Sequence, residues 1–187
     1  LAMNRQAPEV DVIVTGAGMA GSTLACALAS EGLKVIILES GKMPEWNFNR
    51  YDLRVSTINL ASQNTLMALG IWPRIVSMRT SPFYEIEVWD EHNNGRVLFR
   101  AVEAGLRNLG HVVENSALLL ALREKLAQQK VQIHYGATVE KFDHNEEKII
   151  VRATNGWSFQ AKLLVGADGT HSCVRKLANI NVDQRPY

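Results

Sequence analysis

Apolar positions in this chain occur first as short unbroken runs, then at helical spacing, then in alternation with polar ones. Val10–Thr15 is apolar apart from Asp11 and its closing threonine, and the run Val35–Glu39 ends in a carboxylate. Runs of this length, rich in Val and Ile, predict buried parallel strands. Between them, about Ala20 to Ser30 predicts a helix rich in small residues, with Gly32 as its left-handed C-cap. Gly41 to Tyr51 reads as a loop bearing Trp46, Phe48 and Tyr51. Asp52–Ile58 follows, then a helix from about Ala61 to Leu69 that Gly70 closes.

Further along, Glu85–Asp90 alternates, Arg96–Ala101 returns, and Asn94-Gly95 between them is a type I′ hairpin signal. Asn115 or Ser116 caps an amphipathic helix to about Gln129, with Leu118, Leu119, Leu122 and Leu126 on its buried side. Val131–Tyr135 reads as a strand. Thr138–His144, Lys148–Ala153 and Trp157–Lys162 predict a three-stranded antiparallel stretch with turns at Asn145-Glu146-Glu147 and Asn155-Gly156. The order strand–helix–strand, followed by antiparallel pieces, predicts an α/β fold with a Rossmann-like parallel sheet, an antiparallel insert and a hairpin reaching into a second domain.

Composition narrows the function classes. With 187 residues, 47% of them hydrophobic, the chain can bury a sizeable core. A net charge of +1 without a basic stripe argues against nucleic acid as a partner. No apolar run approaches the roughly 18 residues of a membrane span, and Leu1–Gln6 has no apolar signal core, with Met3 read as a native start. Cys26 and Cys173 lie far apart without metal or redox spacing, which suggests a reducing cytoplasm and makes Cys26 a core filler. The five histidines form no triad or metal pattern, so no catalytic or metal-binding residue is assigned.

Chemistry enters with Gly16-Ala17-Gly18-Met19-Ala20-Gly21. Gly16 permits the tight turn out of the first strand, Gly18 lets the backbone approach a pyrophosphate, and Gly21 lets the helix pack closely on the sheet. The helix N-terminus offers N–H groups and a positive dipole end to phosphate. Glu39 lies 23 positions after Gly16, close to the spacing of about 20 at which a carboxylate accepts from a ribose hydroxyl. A carboxylate there repels a 2′-phosphate, so the adenosine belongs to FAD or NAD rather than NADP.

A second glycine motif, Gly166-Ala167-Asp168-Gly169, follows the apolar run Leu163–Val165, with Ser172 placed to cap a short helix. At the carboxyl end of a strand, Asp168 is placed to face a ribose or pyrophosphate. Taken alone, Asp168 and Gly169 could equally form only a tight turn.

These two motifs, with Asp52–Ile58 ahead of Leu69-Gly70-Ile71-Trp72, resemble the FAD-dependent aromatic hydroxylases of the p-hydroxybenzoate hydroxylase type. Leu109–Asn115 and Val88-Trp89-Asp90 are similar to the ubiquinone-biosynthesis branch. The resemblance runs from Val10 to Tyr187. It implies FAD bound by Gly16, Ala17, Gly18, Met19, Ala20, Gly21 and Glu39, with Arg54 on the pyrophosphate, Asn115 as a polar contact at a helix start, and Asp168 with Gly169 serving both FAD and, transiently, NAD(P)H. In that family NAD(P)H reduces the flavin, which reacts with molecular oxygen to a C4a-hydroperoxide that hydroxylates a phenolic ring. For this branch the ring is a polyprenylated phenol or quinol, and the enzyme works in the cytoplasm or at the inner membrane face beside other proteins of the pathway. The alternatives are a prenyl reductase of the same superfamily or a non-catalytic flavin-binding scaffold.

Family members run to roughly double this length, so the chain reads as a front half that crosses toward a substrate sheet at Arg185-Pro186-Tyr187. On this reading residues 1–78 and 106–182 form the FAD-binding domain, and 79–105 with 183–187 are parts of a substrate domain. The piece alone is expected to be inactive and to self-associate.

Overall fold

The computed structural model describes residues 8–43 and 45–183; the start read at Met3 and the crossing read at Arg185–Tyr187 lie outside them. In the first third of the chain come strand β1 (Val12–Thr15), helix α1 (Met19–Ser30), β2 (Val35–Glu39), β3 (Val55–Asn59) and α2 (Leu60–Ala68). Then follow α3 (Trp72–Val76), β4 (Thr80–Phe83), β5 (Glu85–Trp89), β6 (Arg96–Arg100), β7 (Gly110–Glu114) and α4 (Asn115–Gln128). The last third holds β8 (Gln132–Tyr135), β9 (Val139–His144), β10 (Ile149–Ala153), β11 (Ser158–Ala161), β12 (Leu163–Gly166) and α5 (Cys173–Leu177). Two compact units result, Leu1–Met43 with Leu122–Tyr187, and Pro44–Ala121.

The first unit is built on a four-stranded parallel sheet in the order β12-β1-β2-β8. Buried on both faces, β1 and the first four residues of β2 are the apolar runs of the sequence. On one face α1 packs against β1 and β2, with Gly21, Ser22, Ala25 and Cys26 buried at its foot. Gly32 ends it at φ +82°, the left-handed cap expected. On the other face lies the antiparallel meander β11-β10-β9. Ile13, Ile36, Leu38, Val139, Val151 and Phe159 share one core there with three alanines in or beside the meander strands, Ala137, Ala153 and Ala161, all nearly inaccessible. Burying each of the six larger side chains is worth about 1.5–3 kcal/mol.

The second unit holds two antiparallel sheets, β3-β7-β4 and β5-β6. The first was not anticipated: Gly110–Glu114, read as a family signature, is its central strand. Pro82 is accommodated because β4 is an edge strand. The hairpin β5–β6 forms with Trp89 opposite Arg96, but its turn is not type I′. The loop runs from Asp90 to Gly95 and closes with the Asp90 N–H donating to the Gly95 carbonyl at 3.0 Å. Gly95 is not at positive φ. The Asp90 carboxylate organises the loop instead, accepting from the His92 N–H and the Asn93 amide.

Helix α4 begins as expected, but its buried stripe is Ala117, Leu118, Ala121, Leu122 and Leu126, while Leu119 is half-buried. Positions 118, 122 and 126 form one i, i+4 row, flanked by 117 and 121 on the same side; 119 is turned away from that row. Its cap also differs. The Ser116 N–H donates to the Asp52 carboxylate at 3.2 Å, and the Asn115 side chain accepts from the Ser56 hydroxyl at 2.7 Å.

Candidate cofactor-binding site

All four parallel strands of the first unit deliver residues to one cleft of about 410 Å³. Thr15 closes β1 with Gly16 and Gly18 after it, Leu38 to Ser40 close β2, Ala137 to Val139 follow β8, and Ala167 to Gly169 with His171 and Cys173 follow β12. The cleft thus lies at the carboxyl ends of the sheet, where open α/β sheets bind ligands.

The three glycines of the first turn do different work. Gly16 has φ +94°, and a Cβ there would lie 2.3 Å from the Ala167 carbonyl oxygen. A Cβ on Gly21 would lie 2.0 Å from the Gly16 oxygen and 3.3 Å from the Ala167 side chain. Both therefore allow close packing of the turn against the second motif, reinforced by the Ala167 N–H donating to the Thr15 carbonyl at 2.8 Å and the Thr15 hydroxyl donating to the Val165 carbonyl at 3.0 Å. Gly18 is different: nothing lies within 4 Å of its Cβ position. It is the N-cap of α1 with no side-chain cap, and no acidic residue occupies the first turn. The N–H groups of Met19, Ala20 and Gly21 precede the first intrahelical bond, Ser22 N–H to the Gly18 carbonyl at 2.9 Å. That leaves an open, electropositive backbone surface suited to a pyrophosphate.

Glu39 ends β2 beside this turn. Its carboxylate accepts from the Ala17 N–H and from the Gly41 N–H, each at 2.6 Å. The acid expected to meet a ribose therefore also braces the glycine turn from below. Asp168 reaches the cleft as well, and its carboxylate faces α5: Oδ1 accepts from the Ser172 hydroxyl, and Oδ2 from the N–H groups of Cys173 at 2.6 Å and Val174 at 3.3 Å. Ser172 in turn accepts from the Arg175 N–H at 3.0 Å, the expected cap. Burial alone would raise the Asp168 pKa. The hydrogen bonds from Ser172, from its own N–H and from Cys173 and Val174 outweigh it, so the pKa lies below the ordinary carboxylate value.

Cys26 is buried as a core residue, and burial pushes its thiol up to about 11. Among the described residues no cluster of three or more His, Cys, Asp or Glu could hold a metal ion.

Arg54 and Asn115 lie in the second unit. The register of β3 on β7 pairs Val55 with Glu114, so the Arg54 carbonyl accepts from the Asn115 N–H at 3.0 Å. The Asp52 carboxylate accepts from the Arg54 N–H at 3.0 Å. Donation from the Arg54 N–H, then from Ser116, holds the Asp52 pKa below its usual value. Gly16, Gly18, Glu39, Asp168 and Gly169 are thus gathered at one cleft, with Ala17, Met19, Ala20 and Gly21 in the adjoining turn and helix start, and Arg54 with Asn115 at one strand end. Thr138, Ser40 and His171, which also line the cleft, have no motif; only their place after carboxyl-terminal strand ends could have marked them.

The glycine turn at the carboxyl ends of the sheet agrees with the comparisons. The sequence matches the family described as FAD binding domain over residues 9–185. The 3-demethoxyubiquinol 3-hydroxylase of Escherichia coli (strain K12) is 34% identical over 187 residues, covering 99% of this chain and 47% of its own length. The mitochondrial ubiquinone biosynthesis monooxygenase COQ6 of Danio rerio is 34% identical over 190 residues, covering 91% of this chain and 38% of its own. This chain therefore spans about half the length of those relatives or less. In fold it is similar to PqsL of Pseudomonas aeruginosa, with a TM-score of 0.79 at 24% identity over 96% of this chain and 48% of that one. No helix among the described residues is long and apolar enough to cross a membrane. A family match across nearly the whole sequence, on a glycine turn whose open Gly18 and bare helix N-terminus suit a pyrophosphate, means that this chain belongs to the FAD-binding domain family.

Proposed function

We propose that this chain is the FAD-binding portion of an NAD(P)H-dependent monooxygenase that hydroxylates a prenylated phenol or quinol ring in ubiquinone biosynthesis. The observation that carries the reading is the 34% identity to a 3-demethoxyubiquinol 3-hydroxylase along 99% of the chain. FAD, when bound, supplies the redox chemistry that activates molecular oxygen. The chain's own residues bind and orient it. Gly16 and Gly18 shape the turn, and the N–H groups of Met19, Ala20 and Gly21 face the pyrophosphate, with the dipole of α1 behind them. The Glu39 carboxylate accepts from the adenosine ribose. Arg54 and Asn115 are assigned to the same cofactor by family resemblance, the guanidinium fork of Arg54 suiting a pyrophosphate. Asp168 and Gly169 shape the far wall of the cleft and meet NAD(P)H transiently. The segment 79–105 is assigned to the substrate domain, and 1–78 with 106–182 to the cofactor domain. A prenylated substrate lies in a membrane, so the enzyme works at the membrane surface from the aqueous side, beside other proteins of the pathway.

The test is NADPH or NADH oxidation by the full-length protein with and without a prenylated phenol, with product analysis by mass spectrometry. Substrate-stimulated oxidation with an added ring oxygen is expected. Reduction of the prenyl chain, or turnover without hydroxylated product, overturns the reading.

A further inference from the structure

In the second unit the end of β7 sits between two arginines. The register of β4 on β7 pairs Thr80 with Val113, which brings Arg79 beside Glu114; the register of β3 brings Arg54 beside Asn115. Glu114 is 5% exposed, and its Oε2 accepts from Arg79 at 3.0 Å and from the Trp46 indole N–H at 2.7 Å. Its Oε1 accepts from the Asp52 N–H at 3.3 Å. The Arg79 guanidinium also donates to the carbonyls of Phe48 at 2.7 Å, Asn47 at 3.1 Å and Arg50 at 2.7 Å. It lies 4.4 Å from the Tyr51 ring centroid and 5.4 Å from that of Trp46. Only a forked guanidinium can serve three carbonyls and a carboxylate while stacking on aromatic faces. One partly buried ion pair thus gathers the loop from Trp46 to Asp52, and Asp52 passes the constraint on to the Arg54 and Ser116 N–H groups.

We propose that Arg79 and Glu114 are positioning residues of the cofactor site: through the 46–52 loop and Asp52 they fix the backbone that presents Arg54 and Asn115. The proposal rests on the reading of Arg54 as an FAD contact. Arg79 belongs to no motif, Glu114 lies within the Leu109–Asn115 signature, and the two are 35 positions apart.

The test combines FAD titration of the full-length protein with amide hydrogen exchange. Arg79→Ala is expected to weaken FAD binding about tenfold, the scale of a lost charged hydrogen bond, and to cost nothing further in an Arg54→Ala background. Glu114→Gln, which still accepts from the Asp52 N–H, retains most of the affinity that Glu114→Ala loses. Exchange at the Asp52, Arg54 and Ser116 amides rises in Arg79→Ala and, more mildly, in Trp46→Phe, a variant that keeps an aromatic ring in a smaller side chain and loses the indole N–H donor. Unchanged exchange at those amides in both variants, or a full additive loss of affinity with Arg54→Ala, overturns the proposal. If Arg54→Ala alone leaves FAD affinity unchanged, the assignment of Arg54 to the cofactor falls, and the exchange measurement still decides the positioning role.

Discussion

At the residue scale the glycine turn separates two roles that the sequence pattern merges. Gly16 and Gly21 are required by packing against the second motif, since a Cβ on either would overlap backbone. Gly18 faces open space. Gly16→Ala is accordingly expected to destabilise the fold by about 1–3 kcal/mol, the cost of a strained backbone position, while Gly18→Ala leaves the melting temperature unchanged and weakens FAD binding. Thermal melts beside FAD titrations separate the two; a large loss of stability in Gly18→Ala would count against this division. For Glu39→Ala, a loss of about 1–3 kcal/mol in FAD affinity is expected, since a hydrogen bond to a charged group disappears and the brace on the Ala17 N–H goes with it. Calorimetric titration checks this, and an unchanged affinity removes Glu39 from the site.

At the scale of elements, α5 is held by its cap. The Asp168 pKa is depressed in the folded chain, so its contribution to stability is present above the ordinary carboxylate value of 3.8 and is lost as pH falls through the lower, folded value. Asp168→Asn should therefore flatten the acid end of the stability curve, read by denaturant unfolding between about pH 5 and pH 2. His134 in β8 obeys the same sign for a different cause. Burial against Phe159 and Trp157 lowers its pKa from 6.5, so the unfolded chain takes up the proton first and stability declines as pH falls below 6.5. A His134→Phe variant should lose that decline; an unaltered pH profile would mean that His134 does not control it.

For the whole molecule, the hairpin β5–β6 is the feature with most consequence. Cross-strand ion pairs of Glu87 with Arg96 and Glu85 with Arg100 lie on one face. The other presents Ile86, Val88, Val97 and Phe99 at 42%, 55%, 51% and 54% exposure. Paired strands with an uncovered apolar face associate, so this chain by itself is expected to form dimers or larger species in light scattering. Replacing the cross-strand pair Val88 and Val97 by Lys and Glu should return a monomer. A monodisperse monomer of the unaltered chain would refute the expectation.

Short-range physics made much of this molecule legible in its sequence. Apolar runs marked β1 and β2, small residues marked α1, turn residues marked the meander, and glycine spacing with an acid 23 positions on marked the cofactor turn. Each signal but the spacing of the acid depends on neighbours within a few positions, through side-chain periodicity or permitted φ. The central strand β7, the Glu39 brace on Ala17 and the Arg79–Glu114 pair were decided only by tertiary structure. Those features depend on strand register and on which donor a carboxylate meets. Register brings together residues that are 35 or more positions apart, as it does Arg79 with Glu114 and Arg54 with Asn115, and local periodicity carries no information about such pairs.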